Sequence, residues 1–186
     1  MSYSDNQVTV TTDYLTLVYT LNSEGYASQC VYSLSSQNRI YQFSYSAEGY
    51  LTGIVENIDD TEYSSTSLTY ENGDITSISS KMNGLENKFI YEPGEESSTY
   101  HLPCLGLLEI HPLTFHIEAL YAGLLGKDPR HFTMHSCPAG SNDEKTVYSY
   151  GFDKKGNPSR MICQTTYAGG QASYYPYTRN ISVSFE

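Results

Sequence analysis

"QFSYSAEGYLTGIV", residues 42–55, is the stretch that decides how this chain folds, because the chain repeats it. Set beside "VYTLNSEGYASQCV" (18–31), its Gly49 falls on Gly25. "SYGFDKKGNPSRMI" (149–162) superposes with Gly156 in the same place, and "SLTYENGDITSI" (67–78) fits with one residue removed from its turn. The fragment "KFIYEPG" (88–94) starts a further copy.

Each copy reads as a β-hairpin. Along the first arm Phe43 and Tyr45 alternate with Gln42 and Ser44, the period of a strand with one buried face. The turn opens on Asn, Ser or Asp and closes on Gly. A short polar side chain suits the first position of a type I turn, and glycine takes the left-handed position that follows, ending the hairpin in a bulge. Asn72-Gly73 suits a two-residue type I′ turn instead. The second arms place Cys30, Ile54, Ile78 and Met161 at one fixed offset, which predicts four core positions and makes Cys30 a packed thiol.

Hairpins joined by short polar loops give an antiparallel meander, which must pack its apolar face on something or curl and close. The only stretch of helical period is "HLPCLGLLEIHPLTFHIEALYAGLLGKDPRHF", where Leu113, Ile117, Leu120 and Leu124 form a stripe. Pro112 fits the first helical position, Gly126 fits C′, and Pro129 prevents resumption. The expectation is a single all-β domain over 1–186 with one inserted helix at about 112–125, lying on the sheet or plugging its open end. Strands near 146–152 and 158–167 follow, and "NISVSFE" reads as the last strand through Ile181, Val183 and Phe185.

The 186 residues carry 10 Lys+Arg against 21 Asp+Glu, a formal net charge of −11. A nucleic-acid partner or an anionic membrane surface needs basic clusters, and the pair Lys154-Lys155 is the only one in sequence. No apolar run approaches the roughly 20 residues of a membrane helix. "MSYSDNQVTV" lacks a basic region followed by an apolar core, so no signal peptide is expected in this chain. The 19 tyrosines suit strands whose face is half buried.

Tyr-rich hairpins followed by "LYAGLLGKDPRHF", then "YSYGFDKKGNPSRMI" and a closing strand, resemble a large family of predicted secreted proteins from gut and oral Bacteroidetes. It is a domain of unknown function with a porin-like fold, the DUF family numbered 4595. "YAGLLGK" (121–127) is the specific motif, and the likeness is strongest from about residue 115 to the end. The hairpin alone is shared with YD-type repeats of toxin and cell-wall proteins. The resemblance implies a curved, barrel-like antiparallel sheet in an exported protein held at the outer surface by a lipid. It carries over no catalytic residue. A membrane barrel needs a lipid-facing apolar band, whereas the faces opposite the aromatics here are Ser, Thr and Gln, so a water-soluble barrel is expected.

Few residues promise chemistry. "GLLGKD" lacks the Gly and the Ser or Thr of a phosphate loop, with Tyr121 and Asp128 in those places. His111 and His116, and the pair His131 and His135, lack the company of a metal motif, and no cofactor or metal is called for. Cys137 beside His135 is a sequence neighbourhood, not yet a spatial pair. Cys30, Cys104, Cys137 and Cys163 show no CxxC spacing. A Cys104–Cys137 disulfide would bracket the helix, and buried thiols are the alternative. Asp59-Asp60-Glu62 and Glu92-Glu95-Glu96 read as acidic loops. Tyr174, Tyr175 and Tyr177 around Pro176 form an aromatic loop suited to stacking on sugar faces or anchoring a protein, against the alternative of rings folded onto the barrel mouth.

The functional expectation is an exported surface or periplasmic protein, without catalytic activity, that binds a glycan or an envelope protein through these tyrosines. A structural or assembly module of the envelope is the alternative, and a hydrolase using the histidines and acids near the helix ranks third.

Overall fold

The computed structural model describes residues 1–11, 15–34, 37–97, 116–141, 143–152, 154, 158–167 and 177–182. Thirteen strands form one antiparallel sheet in which every strand pairs with its neighbour in sequence. They are β1 (Ser2–Ser4), β2 (Gln7–Thr11), β3 (Thr16–Leu21), β4 (Ala27–Leu34), β5 (Gln37–Tyr45), β6 (Leu51–Ile58) and β7 (Thr61–Glu71). There follow β8 (Asp74–Met82), β9 (Leu85–Ser97), β10 (His131–Pro138), β11 (Glu144–Phe152), β12 (Pro158–Tyr167) and β13 (Tyr177–Ser182). The meander is not closed among the described residues: β1 and β13 remain its two edges.

In the copies at 18–31, 42–55 and 67–78 the hairpin reading holds in its atomic detail, while Asp153, Lys155 and Gly156 in the turn of the copy at 149–162 lie outside the described residues. Asn22 Oδ1 accepts the amides of Glu24 and Tyr26 at 3.0 and 2.9 Å, and Ser46 Oγ does the same for Glu48 and Tyr50. Gly25 and Gly49 take φ of 85° and 91°, and the register slips between Thr20 and Leu21 and between Ser44 and Tyr45, the expected bulges. Asn72-Gly73 is left-handed at both positions, as a type I′ turn requires. Asp59-Asp60 and Asn83-Gly84 use the same device, so the acidic pair read as loop is the β6–β7 turn itself.

The core sits on the inward face of the sheet. Cys30, Ile54, Ile78 and Met161 are all buried, together with Val8, Leu17, Tyr19, Tyr41 and Tyr148. Each large apolar side chain so removed from water contributes about 1.5–3 kcal/mol. Phe43 is buried and Tyr45 half buried, with Gln42 and Ser44 exposed, the alternation expected of that arm.

Two expectations need correction. Glu92, Glu95 and Glu96 lie on β9, not in a loop. The Pro93-Gly94 pair that signals a turn falls at a β-bulge opposite β10, beyond the β8 pairing that ends at Ile90, where a missing amide is tolerated. The helix is also shorter than its periodicity predicts: α1 spans Ile117–Tyr121. The expected positions Pro112 and Leu113 lie outside the described residues. Its end is a Schellman motif built on Gly123 (φ 71°), with Gly123 N–H donating to Leu120 O and Leu124 N–H to Ala119 O. Gly123, not Gly126, is therefore the C′ residue. Ala119 and Leu120 of α1, with Leu124 and Leu125 just after it, are buried in the same cluster as the sheet residues, so this segment lies on the apolar face of the sheet.

After α1 the chain becomes a strap. Leu124 O accepts from Ala27 N–H at 2.7 Å, Lys127 N–H donates to Gly49 O at 2.9 Å, and Arg130 N–H donates to Gly73 O at 2.9 Å. Gly49 and Gly73 close the second and third of successive hairpins, and Ala27 follows the first. Three residues of extended chain advance roughly 10 Å, and two strand spacings cover about the same distance. The strap thus steps one hairpin for every three of its own residues, then enters the sheet as β10.

Candidate functional site

Between the ends of the β5–β6 and β7–β8 hairpins lies an open cleft of about 790 Å³. Tyr50 and Tyr70 stack in it, ring centroids 5.0 Å apart and planes inclined by 29°. The pair follows from the repeat. Tyr50 comes directly after the turn glycine of one hairpin, and Tyr70 precedes the turn of the next. Tyr26 and Tyr45 occupy the same positions one hairpin earlier and stack at 5.3 Å. There, however, the Tyr45 hydroxyl donates to Ala27 O at 2.6 Å beneath the strap, and burial pushes its pKa up.

The strap supplies the cleft's charge. Lys127 and Arg130 line it, with their backbones fixed to Gly49 and Gly73. Glu48 is the one carboxylate among the lining residues. The Ser46 hydroxyl, more than Lys127, holds Glu48 below the usual carboxylate range. The strap is clamped at its far end by Asp74, whose two carboxylate oxygens accept from the backbone N–H and the Nδ1 of His131 at 2.7 and 2.8 Å.

A second polar cluster lies sealed in the interior. Tyr19 Oη and His116 Nδ1 are 2.7 Å apart, with the His116 ring edge-on to Tyr41 and Phe43. Burial pulls the His116 pKa down to about 3 and pushes that of Tyr19 up. With both groups neutral, the tautomer of His116 decides which of the two donates, and Nε2 has no partner among the described residues. Nearby, fully buried Glu56 accepts from Arg39, Tyr41 and Ser64 at 2.9, 3.1 and 2.8 Å. With no solvent exposure at His116 or Glu56, this cluster holds the helix in place and offers no route to a substrate.

The residues singled out from sequence fall elsewhere. Tyr174 and Tyr175 lie outside the described residues, and Tyr177 opens β13 opposite Thr165. His111 and Cys104 are also outside them, while Cys137 is a free, half-buried thiol. His116, His131 and His135 are not brought together. His135 does share a cavity of about 50 Å³ with Cys137, Glu92 and Lys145, a spatial neighbourhood that sequence adjacency alone had not implied. No group of three His, Cys, Asp or Glu among the described residues is placed to hold a metal. Sequence reasoning missed Tyr50, Tyr70, Lys127 and Arg130. The signal was present in the recurrent Gly-Tyr of the repeats and in a strap motif that placed two cations three residues apart.

Fold and site together define an antiparallel hairpin meander with a short helix packed on its apolar face and a strap bound to its hairpin ends. The family described as a domain of unknown function (DUF4595) with porin-like fold matches residues 1–160, and the chain belongs to it. The match takes in both the N-terminal hairpins and the strap, and it ends within β12. A crystal structure of a porin-like protein from Bacteroides uniformis is similar at 26% identity with a TM-score of 0.86, over 100% of this chain and 75% of that one. No curated protein shows significant similarity. No helix among the described residues is long and apolar enough to cross a membrane.

Proposed function

We propose that this chain is an exported binding module of the bacterial envelope, without catalytic activity of its own, that holds a saccharide across the Tyr50–Tyr70 stack. The observation that carries the reading is the stacked, half-buried pair inside a cleft of about 790 Å³. Aromatic faces accept the C–H faces of sugar rings, while the polar rim of Ser46, Glu48 and Asn72 offers hydrogen bonds to hydroxyls. Export rests on the family likeness. The edges β1 and β13, unpaired among the described residues, favour a second reading, an assembly module that pairs edge to edge with an envelope protein.

The test is a thermal-shift and calorimetric screen against host and bacterial glycans with the wild type, Tyr50→Ala and Tyr70→Ala. A true ligand at a hundred times its Kd adds about 2.7 kcal/mol of stability. Either alanine variant should remove most of that gain, whereas the triple variant Tyr174→Ala, Tyr175→Ala, Tyr177→Ala retains it. Loss in the triple variant alone would move the site to that loop. A flat panel with a concentration-dependent oligomer would replace this reading with the assembly module.

A further inference from the structure

The sign of the cleft's charge runs against that of the whole chain. With 10 Lys+Arg against 21 Asp+Glu, the long-range field repels anions. Yet Lys127 and Arg130 both line this one cleft, and neither forms a salt bridge among the described residues. Their amides are bonded to Gly49 O and Gly73 O, so each side chain projects from a fixed backbone. The two anchors lie on successive hairpins, roughly 10 Å apart by strand spacing. A neutral sugar gains little from such an arrangement, since hydroxyls and amides would serve it as well. A guanidinium fork matches a carboxylate in shape and charge, and a nearby ammonium adds a point charge.

We propose that the ligand of this cleft is an acidic saccharide, with carboxylates held by Arg130 and Lys127 while a sugar ring lies on Tyr50 and Tyr70. The inference rests on the saccharide reading above and names its chemical class. Uronic and sialic acids share the required carboxylate.

The test uses two matched pairs of probes: oligogalacturonate with its methyl ester, and sialylated N-acetyllactosamine with the unsialylated form. Titration of the full chain should show the acidic member of one pair binding at least about tenfold more tightly than its neutral counterpart, the weight of one charge-assisted contact. Which pair responds identifies the source of the carboxylate. That preference should shrink at raised salt, and Arg130→Gln and Lys127→Gln should each weaken acidic-ligand binding by about tenfold. Both substitutions leave the strap's backbone bonds in place, and if one lowers the Tm of the free protein, the other carries the test. Equal affinity within a pair, with binding lost in Tyr50→Ala, overturns the acidic ligand and leaves the saccharide reading standing. Failure of all four probes to bind overturns the acidic ligand, and failure of the neutral glycan screen as well removes the saccharide reading.

Discussion

Gly126 packs its α-carbon against the carbonyl of Gly49 so closely that a β-carbon there would sit 2.7 Å from that oxygen. It would also lie 3.2 Å from the Leu51 amide nitrogen, and Gly126 itself has a φ of 90°. Backbone against backbone, nothing can give way. The strap can reach the β5–β6 hairpin only because this residue has no side chain.

Gly126→Ala should therefore combine left-handed strain with a clash and destabilise the protein by at least about 2 kcal/mol, a fall in Tm of roughly 4–8 °C. Gly25→Ala is the control. Its φ is 85°, but nothing lies within 4 Å of the added carbon, so strain alone applies, about 1 kcal/mol. Thermal unfolding of the two variants checks this, and equal losses would show that the strap contact is unimportant.

His116 makes stability pH-dependent. Its folded pKa is depressed to about 3 by burial, from an ordinary 6.5. Between those values the unfolded chain binds a proton that the folded chain refuses, so stability falls as pH drops, by up to about 1.4 kcal/mol per unit. Carboxylates add their own acid dependence, and for this reason the difference from His116→Gln is the useful curve. Glutamine keeps an acceptor for Tyr19 but cannot charge. The variant should lose less stability than the wild type between pH 6.5 and 4 in urea titrations at stepped pH.

Thiol chemistry should separate the cysteines. Burial pushes the Cys30 thiol up to about 12, and Cys30 and Cys163 are both buried, while Cys137 is half exposed on β10. Alkylation of the native protein followed by peptide mass spectrometry should label Cys137 well before Cys30 or Cys163, which react only on unfolding.

Asp74→Ala should release the end of the strap. It leaves the His131 amide and ring without their acceptor, at a cost of about 2 kcal/mol. Hydrogen exchange should accelerate at His131, whose amide loses its acceptor, before it does at Arg130 and Lys127, whose own bonds to Gly73 and Gly49 are intact. Uniform acceleration across the sheet would mean that Asp74 serves global stability instead.

Much of this was legible in the chain itself. Alternation of Phe43 and Tyr45 with polar neighbours, the turn chemistry of Asn22 to Gly25, and the buried offset shared by Cys30, Ile54, Ile78 and Met161 are local rules acting over a few residues. They determine hairpins, and consecutive hairpins determine the meander order. The type I′ turns at Asp59-Asp60 and Asn83-Gly84 were equally local and went unread.

Periodicity placed a helix correctly in kind but not in length, because a glycine that ends a helix and a glycine that permits close approach look alike in sequence. Only the tertiary structure separates Gly123, which closes α1, from Gly126, which meets Gly49. The same holds for the cleft. Tyr50 and Tyr70 come from neighbouring hairpins, while Lys127 and Arg130 arrive from a segment more than fifty residues further on. The sequence determined the repeat, and with it the spacing of hairpin ends. Bringing the strap's cations over one pair of those ends was decided by tertiary structure, because long-range backbone bonds set that position and no local residue pattern encodes them.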